Sequence, residues 1–173
     1  MAAEKALVPN VVDRLGAALA SPVAALEAAE KPSPAGRAPG DLAILILAGF
    51  AATHLVSITR AGWMLIDGDG TGAVDTLLTQ LSEAVRAPLV FVLGGGLLVI
   101  LLAGKRRSAA IDFDLACIAA VPLGLVAVLI QLSARIGVVW PGLDRVALAV
   151  GCLWGGAILL LALRQARRRE ASA

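Results

Sequence analysis

The chain has 173 residues, 59% of them hydrophobic and 16% charged, with a formal net charge of +2 and a mean hydropathy of +0.87. Soluble domains run at about 45–50% apolar and about 25% charged residues, so this composition excludes an ordinary soluble globule and points to a membrane protein. Three phenylalanines, three tryptophans and no tyrosine leave little from which to build a base-stacking platform, and no nucleic-acid partner is expected.

Residues 1–41 read as a polar, alanine-rich leader. Asn10 followed by Asp13 is a helix start, with Val11, Val12, Leu15, Ala18 and Leu19 on one face. Ser21-Pro22 then restarts the chain as an N-cap with proline at the first helical position, leading into a second short helix through Leu26 to Ala29. The leader has a face for the membrane surface, for the rest of the bundle, or for a partner. Ala18-Leu19-Ala20 before Ser21 resembles a signal-peptide cleavage site, but Glu4, Pro9 and Asp13 interrupt the apolar stretch that such a signal requires, so the leader is expected to stay. "KPSPAGRAPG", residues 31–40, is a proline- and glycine-rich linker that ends it.

Four apolar segments follow, at 42–66, 87–103, 111–134 and 146–163. About 20 residues of helix cross the roughly 30 Å hydrocarbon core, and continuous apolar runs without alternation mean helices rather than barrel strands. The expected fold is all-α: an integral membrane four-helix bundle with a short helical cytoplasmic leader and a basic tail at 165–173. Pro122 lies inside the third span, where it removes the hydrogen bond to the carbonyl of Ile118.

With four spans, Lys105, Arg106, Arg107, Arg164, Arg167, Arg168 and Arg169 share a side with the leader's Lys5, Arg14, Lys31 and Arg37, which places 11 of the 15 basic residues there. Arg60, Arg86, Arg135 and Arg145 fall on the other side. The positive-inside rule therefore puts both termini in the cytoplasm and turns the connections 67–86 and 135–145 outward. The preference for alanine, glycine and arginine over lysine is that of a GC-rich bacterial genome, and hence of a bacterial inner membrane.

The outer stretch "DGDGTGAVD", residues 67–75, has the start of a calcium-binding loop of the EF-hand kind: Asp67, Asp69, Thr71 and Asp75 at ligand positions, with Gly72 at the sixth. The twelfth position, which needs a bidentate glutamate, is Leu78. Aspartates and glycines are also what a helix-ending turn uses, and that reading is preferred. A short amphipathic helix with Val74, Leu77, Leu78 and Leu81 on one side is expected after it. Within the first span, Thr53, His54, Ser57 and Arg60 form a polar cluster, Gly49, Thr53 and Ser57 being spaced by four on one face. Helix-to-helix hydrogen bonding explains it most simply, and a transport or proton-relay role is the alternative. Cys117 and Cys152 lie at different depths and are not expected to pair. With one histidine and no CxxC, no metal or other cofactor is expected.

Small residues at intervals of four mark packing faces: Ala116, Ala120 and Gly124 in the third span, Ala147, Gly151 and Gly155 in the fourth, beside the Gly94-Gly95-Gly96 triplet of the second. They leave open whether the close contacts lie within one chain or between chains. No catalytic constellation is present, and no enzyme activity is expected.

"LGAALASPVAALEAA" (15–29), "DFDLACIAAVPLGL" (112–125) and "LWGGAILLLALRQAR" (153–167) resemble the leader, the proline-bearing span and the basic-ended span of the Yip family of multispanning membrane proteins. That family, named for binding Ypt/Rab GTPases, usually carries a fifth span. The resemblance implies a polytopic protein that works by interaction, and it transfers no binding residue. The expected role is a non-catalytic scaffold or accessory subunit of a membrane assembly, in contact with the lipid bilayer and with a membrane-protein partner or a second copy. The alternative is a small transporter or channel using the polar face of the first span.

Overall fold

The computed structural model describes residues 10–30, 37–102, 109–138 and 141–170, and every regular element among them is a helix. Of the linker expected at 31–40, residues 31–36 lie outside the described residues and 37–40 are helical; Lys5 and the basic run Lys105, Arg106 and Arg107 also lie outside. The helices are α1 (Val11–Ala20), α2 (Pro22–Glu30), α3 (Arg37–Thr53), α4 (Leu55–Ile66), α5 (Gly70–Leu102), α6 (Ala109–Arg135) and α7 (Leu143–Glu170).

The leader forms as its sequence dictates. Asn10 Oδ1 accepts from the Asp13 backbone N–H (2.8 Å), and the Asp13 carboxylate accepts from that of Asn10 (3.3 Å), a reciprocal capping box. Ser21 breaks the chain direction, and Pro22 opens α2. Both helices pack on the bundle: Ala18 and Leu26 are buried in the same core as Leu42 and Leu115.

Three helices, α5, α6 and α7, are long and apolar enough to cross a membrane, and the pair α3 and α4 makes a fourth if its two parts count as one span. Packing registers fix their directions. A Cβ at Gly124 would touch Leu42 and Leu45, one at Gly49 would strike Val128, and Thr53 reaches Gln131, so α3 and α6 run parallel. Gly151 faces Leu123 and Gly155 faces Ala119, so α7 runs antiparallel to α6. Gly95 and Gly96 meet Ala116 while Pro88 sits with Gly124, so α5 is antiparallel to α6 too. The helix α6 is the axis of the bundle, with every residue from Asp114 to Gly124 buried.

Four expectations need correction. The first span begins at Arg37 rather than at residue 42, because Pro39 is tolerated in a first helical turn. It is not one rod but bends by 79° at His54. The outer amphipathic helix and the second span are a single helix, α5, that carries Pro88 inside it. Its buried seam runs through Ala73, Ala84 and Pro88, whereas Val74 and Leu78 are exposed, since the small side chains admit the neighbouring helices. Finally, α7 continues to Glu170, so most of the expected tail is helical.

Candidate functional site

Three places gather polar side chains: the elbow at His54, the turn at 67–72 and the junction of leader and bundle. At the elbow, Thr53 is buried and its hydroxyl lies 2.7 Å from the Gly49 carbonyl, 3.3 Å from that of Phe50 and 3.0 Å from Gln131 Oε1. The hydroxyl has one proton to donate, so these acceptors compete for it, and His54 Nδ1, 2.8 Å away, can supply a proton to the same oxygen. The His54 ring stacks on Phe50, centroids 4.7 Å apart and 19° from parallel. A threonine back-bonded to the preceding turn bends a helix, and here the Phe50 carbonyl is approached by Thr53 Oγ1, His54 N and His54 Nδ1 together. The result is His54 at φ −116°, ψ 23°, outside helical geometry.

The bend divides the polar cluster read from the sequence. Thr53 and His54 stay together, while Ser57, half-buried, and Arg60, exposed, belong to α4 and a different axis. The residue missed was Gln131. Its signal was available, because a carboxamide in "VLIQLS" is costly in an apolar span and must find a partner. The cluster also lies shallower than one continuous span would put it: Gln131 is one turn from the end of α6 at Arg135. A cavity of about 10 Å³ beside Phe50, Pro88 and Gln131 has room for one water and no solute.

At the turn, Gly68 takes φ +86° and closes α4, its N–H donating to the Leu65 carbonyl (3.3 Å) and that of Asp69 to Met64 (2.8 Å). Asp69 then caps α5: its Oδ1 accepts from the Gly72 N–H at 3.0 Å and from the Thr71 hydroxyl at 3.3 Å. Asp67 is the C-cap of α4, and Asp75 is exposed on α5. Helix-capping geometry thus accounts for the "DGDGTG" pattern, and no group of three or more metal-ligating side chains occurs among the described residues.

The small-residue faces are brought into contact within the chain. Gly124 receives α3, Gly151 and Gly155 receive α6, and Ala116 and Ala120 are fully buried; Ala147 is half-buried. Cys117 is buried and Cys152 exposed, and neither is in a disulfide.

The third place was not foreseen. Arg14 of α1 grips Asp41 of α3 with two parallel hydrogen bonds, Nε to Oδ2 and Nη2 to Oδ1, both 2.6 Å. That hydrogen bond, together with the Asp41 and Asp13 charges, holds the Arg14 guanidinium above its ordinary value. Beside the pair lies a cavity of about 310 Å³ between α1, α2, α3 and α6, walled largely by alanines.

These features define an all-helical bundle with three helices long and apolar enough to cross a membrane, or four if α3 and α4 count as one, whose leader is latched onto one end and whose α3–α4 pair is bent near the other. No family model, curated protein or solved structure matches the chain.

Proposed function

We propose that the chain is a non-catalytic integral membrane protein of a bacterial inner membrane, with both termini cytoplasmic, that serves as a scaffold or accessory subunit of a larger assembly. The observation that carries this reading is where the first span's polar groups are used. The Thr53 hydroxyl bonds both His54 and Gln131 at the elbow, close to one end of α6, while Asp114–Gly124 of α6 is buried among its neighbouring helices. The orientation is supported by charge: α3 runs parallel to α6 and α5 and α7 run antiparallel to it, so the α5–α6 connection and the C-terminal end of α7 lie at the leader's end of the bundle, where 11 of the 15 basic residues gather. The Yip resemblance points the same way, toward action through partners.

A second reading, a small transporter, is favoured by the 79° break, since discontinuous helices line ion and substrate sites in many transporters. Substitution of His54 separates the two. Under the scaffold reading, His54→Ala lowers the amount or the native mass of the assembly and leaves proton and solute flux into liposomes at the protein-free level. A flux that the wild type carries and His54→Ala abolishes would overturn it.

A further inference from the structure

The helix α4 is 12 residues long, about 18 Å, too short to cross a hydrocarbon core of about 30 Å by itself. One face packs on α5, with Ala61 fully buried and Met64 against the first turn of α5 at Gly72. The opposite face is apolar and bare: Leu55, Val56, Trp63 and Ile66 are each at least 62% exposed. Arg60 stands at the edge of this face, also exposed, four residues from Val56 and three from Trp63. What covers such a face depends on its depth.

Three helices fix that depth independently. On α6, Gln131, which bonds Thr53, is one turn from the helix end at Arg135. On α5, Ala84 and Pro88 line the same small cavity as Gln131, and the exposed Glu83 and Arg86 lie at that level. On α7, the Gly151–Leu123 contact and the antiparallel course bring the exposed Asp144 and Arg145 level with Ile130 and Leu129. Charged side chains mark the edge of the hydrocarbon, so the apolar core ends at the elbow and α4 starts there. From that point α4 departs at 79° to α3. With α3 tilted by about 20°, as spans commonly are, α4 stays within about 30° of the membrane plane.

We propose that α4 is an interfacial helix and not the second half of a crossing. It lies at the boundary of headgroups and acyl chains in the leaflet opposite the leader. Leu55, Val56 and Ile66 enter the upper chain segments, the Trp63 ring sits at headgroup level, and the Arg60 guanidinium reaches lipid phosphate while its stem lies along the apolar face. The partner of this surface is the bilayer that surrounds the spans, and α3 alone makes the first crossing. The inference rests on the membrane reading and not on the scaffold role.

The test reads the depth of Trp63 in the full chain, reconstituted into vesicles of phosphatidylcholine brominated either high on the acyl chains or near their ends. Trp140→Phe with Trp154→Phe leaves Trp63 as the only tryptophan. Trp63→Phe with Trp140→Phe leaves Trp154, which is exposed and lies between the Gly151 and Gly155 contacts, level with the buried stretch of α6. The expected result is that Trp63 fluorescence is quenched more by the shallow bromine and Trp154 more by the deep one. Trp63 quenched most by the deep bromine would make α4 part of a broken span, and Trp63 quenched by neither, with Trp154 still quenched, would mean that protein or water covers the face. Either result overturns the proposal. Quenching of neither tryptophan would overturn the membrane reading as well, which separates the two failures. If a double variant does not fold, the difference in quenching between the wild type and Trp63→Phe gives the same comparison.

Discussion

Gly155 is where the bundle tolerates least. An added Cβ there would stand 2.5 Å from the Ala119 carbonyl oxygen and 2.8 Å from Phe91 Cζ. The ring of Phe91 can rotate, but the carbonyl belongs to the backbone of the buried axis helix α6 and cannot. A carbon needs about 3.3 Å from such an oxygen, so α7 would have to retreat by about 0.8 Å along its contact with α6. Overpacking of this kind costs about 1–3 kcal/mol, or a fall in Tm of about 2–12 °C for a chain of this size. Gly156, the next residue, is the internal control, because a Cβ there meets nothing within 4 Å. Gly156→Ala should leave stability unchanged or raise it by up to about 1 kcal/mol through helix propensity. Gly151→Ala, which meets Leu123 Cδ1 at 3.2 Å and its Cα at 3.3 Å, should fall between the two. Thermal unfolding in detergent, followed by circular dichroism, reads all three. If Gly155→Ala melts at or above Gly156→Ala, the close approach of α6 and α7 is wrong.

The remaining predictions concern the two ends of the bundle. Arg14→Gln should loosen the leader by about 1 kcal/mol after allowance for its partial exposure, and the exchanged pair Arg14→Asp with Asp41→Arg should restore part of it; protease cleavage of the leader is the readout. Because the guanidinium is held above its ordinary value, its contribution is present at every pH below the unfolded value and is lost only on rising through the folded one, so raising the pH from neutral to about 9 should not release the leader through Arg14. Thr53→Val should cost about 1–3 kcal/mol by leaving Gln131 without its bond, and adding Gln131→Leu should recover a measurable share in a double-mutant cycle of melting temperatures. Asp69→Ala should cost about 1 kcal/mol as the loss of an N-cap, and millimolar calcium should leave the Tm of the wild type where it is. A calcium-dependent rise abolished by Asp69→Ala would restore the ion-binding reading of that loop.

What the sequence told in advance follows from the range of the physics involved. The capping box of Asn10 and Asp13, the Ser21-Pro22 restart and the apolar lengths of α6 and α7 are local, and each reads from a few adjacent residues. The spacing of Gly151 and Gly155 likewise named a face that proved to be a contact, though it could not say with which helix. The elbow at His54 was illegible because the run from residue 42 to 66 has no proline to mark a break, and its polar residues also fit a continuous span; the bend depends on a threonine bonding backward and on Gln131, 78 positions away. Arg14 and Asp41 are 27 positions apart, across a linker, and nothing local pairs them. The cavity beside them is a property of four helices together, and no single alanine signals it.

The central claim is that the chain acts as part of an assembly, and its native mass tests that most directly. The chain should be tagged at its C-terminus, extracted in mild detergent without dissociation, and sized while its co-purifying proteins are quantified. The expected result is a stoichiometric membrane-protein partner and a mass well above that of one 17.6 kDa chain with its detergent. A lone monomer, or a homo-oligomer with no partner that carries flux in liposomes, would contradict it.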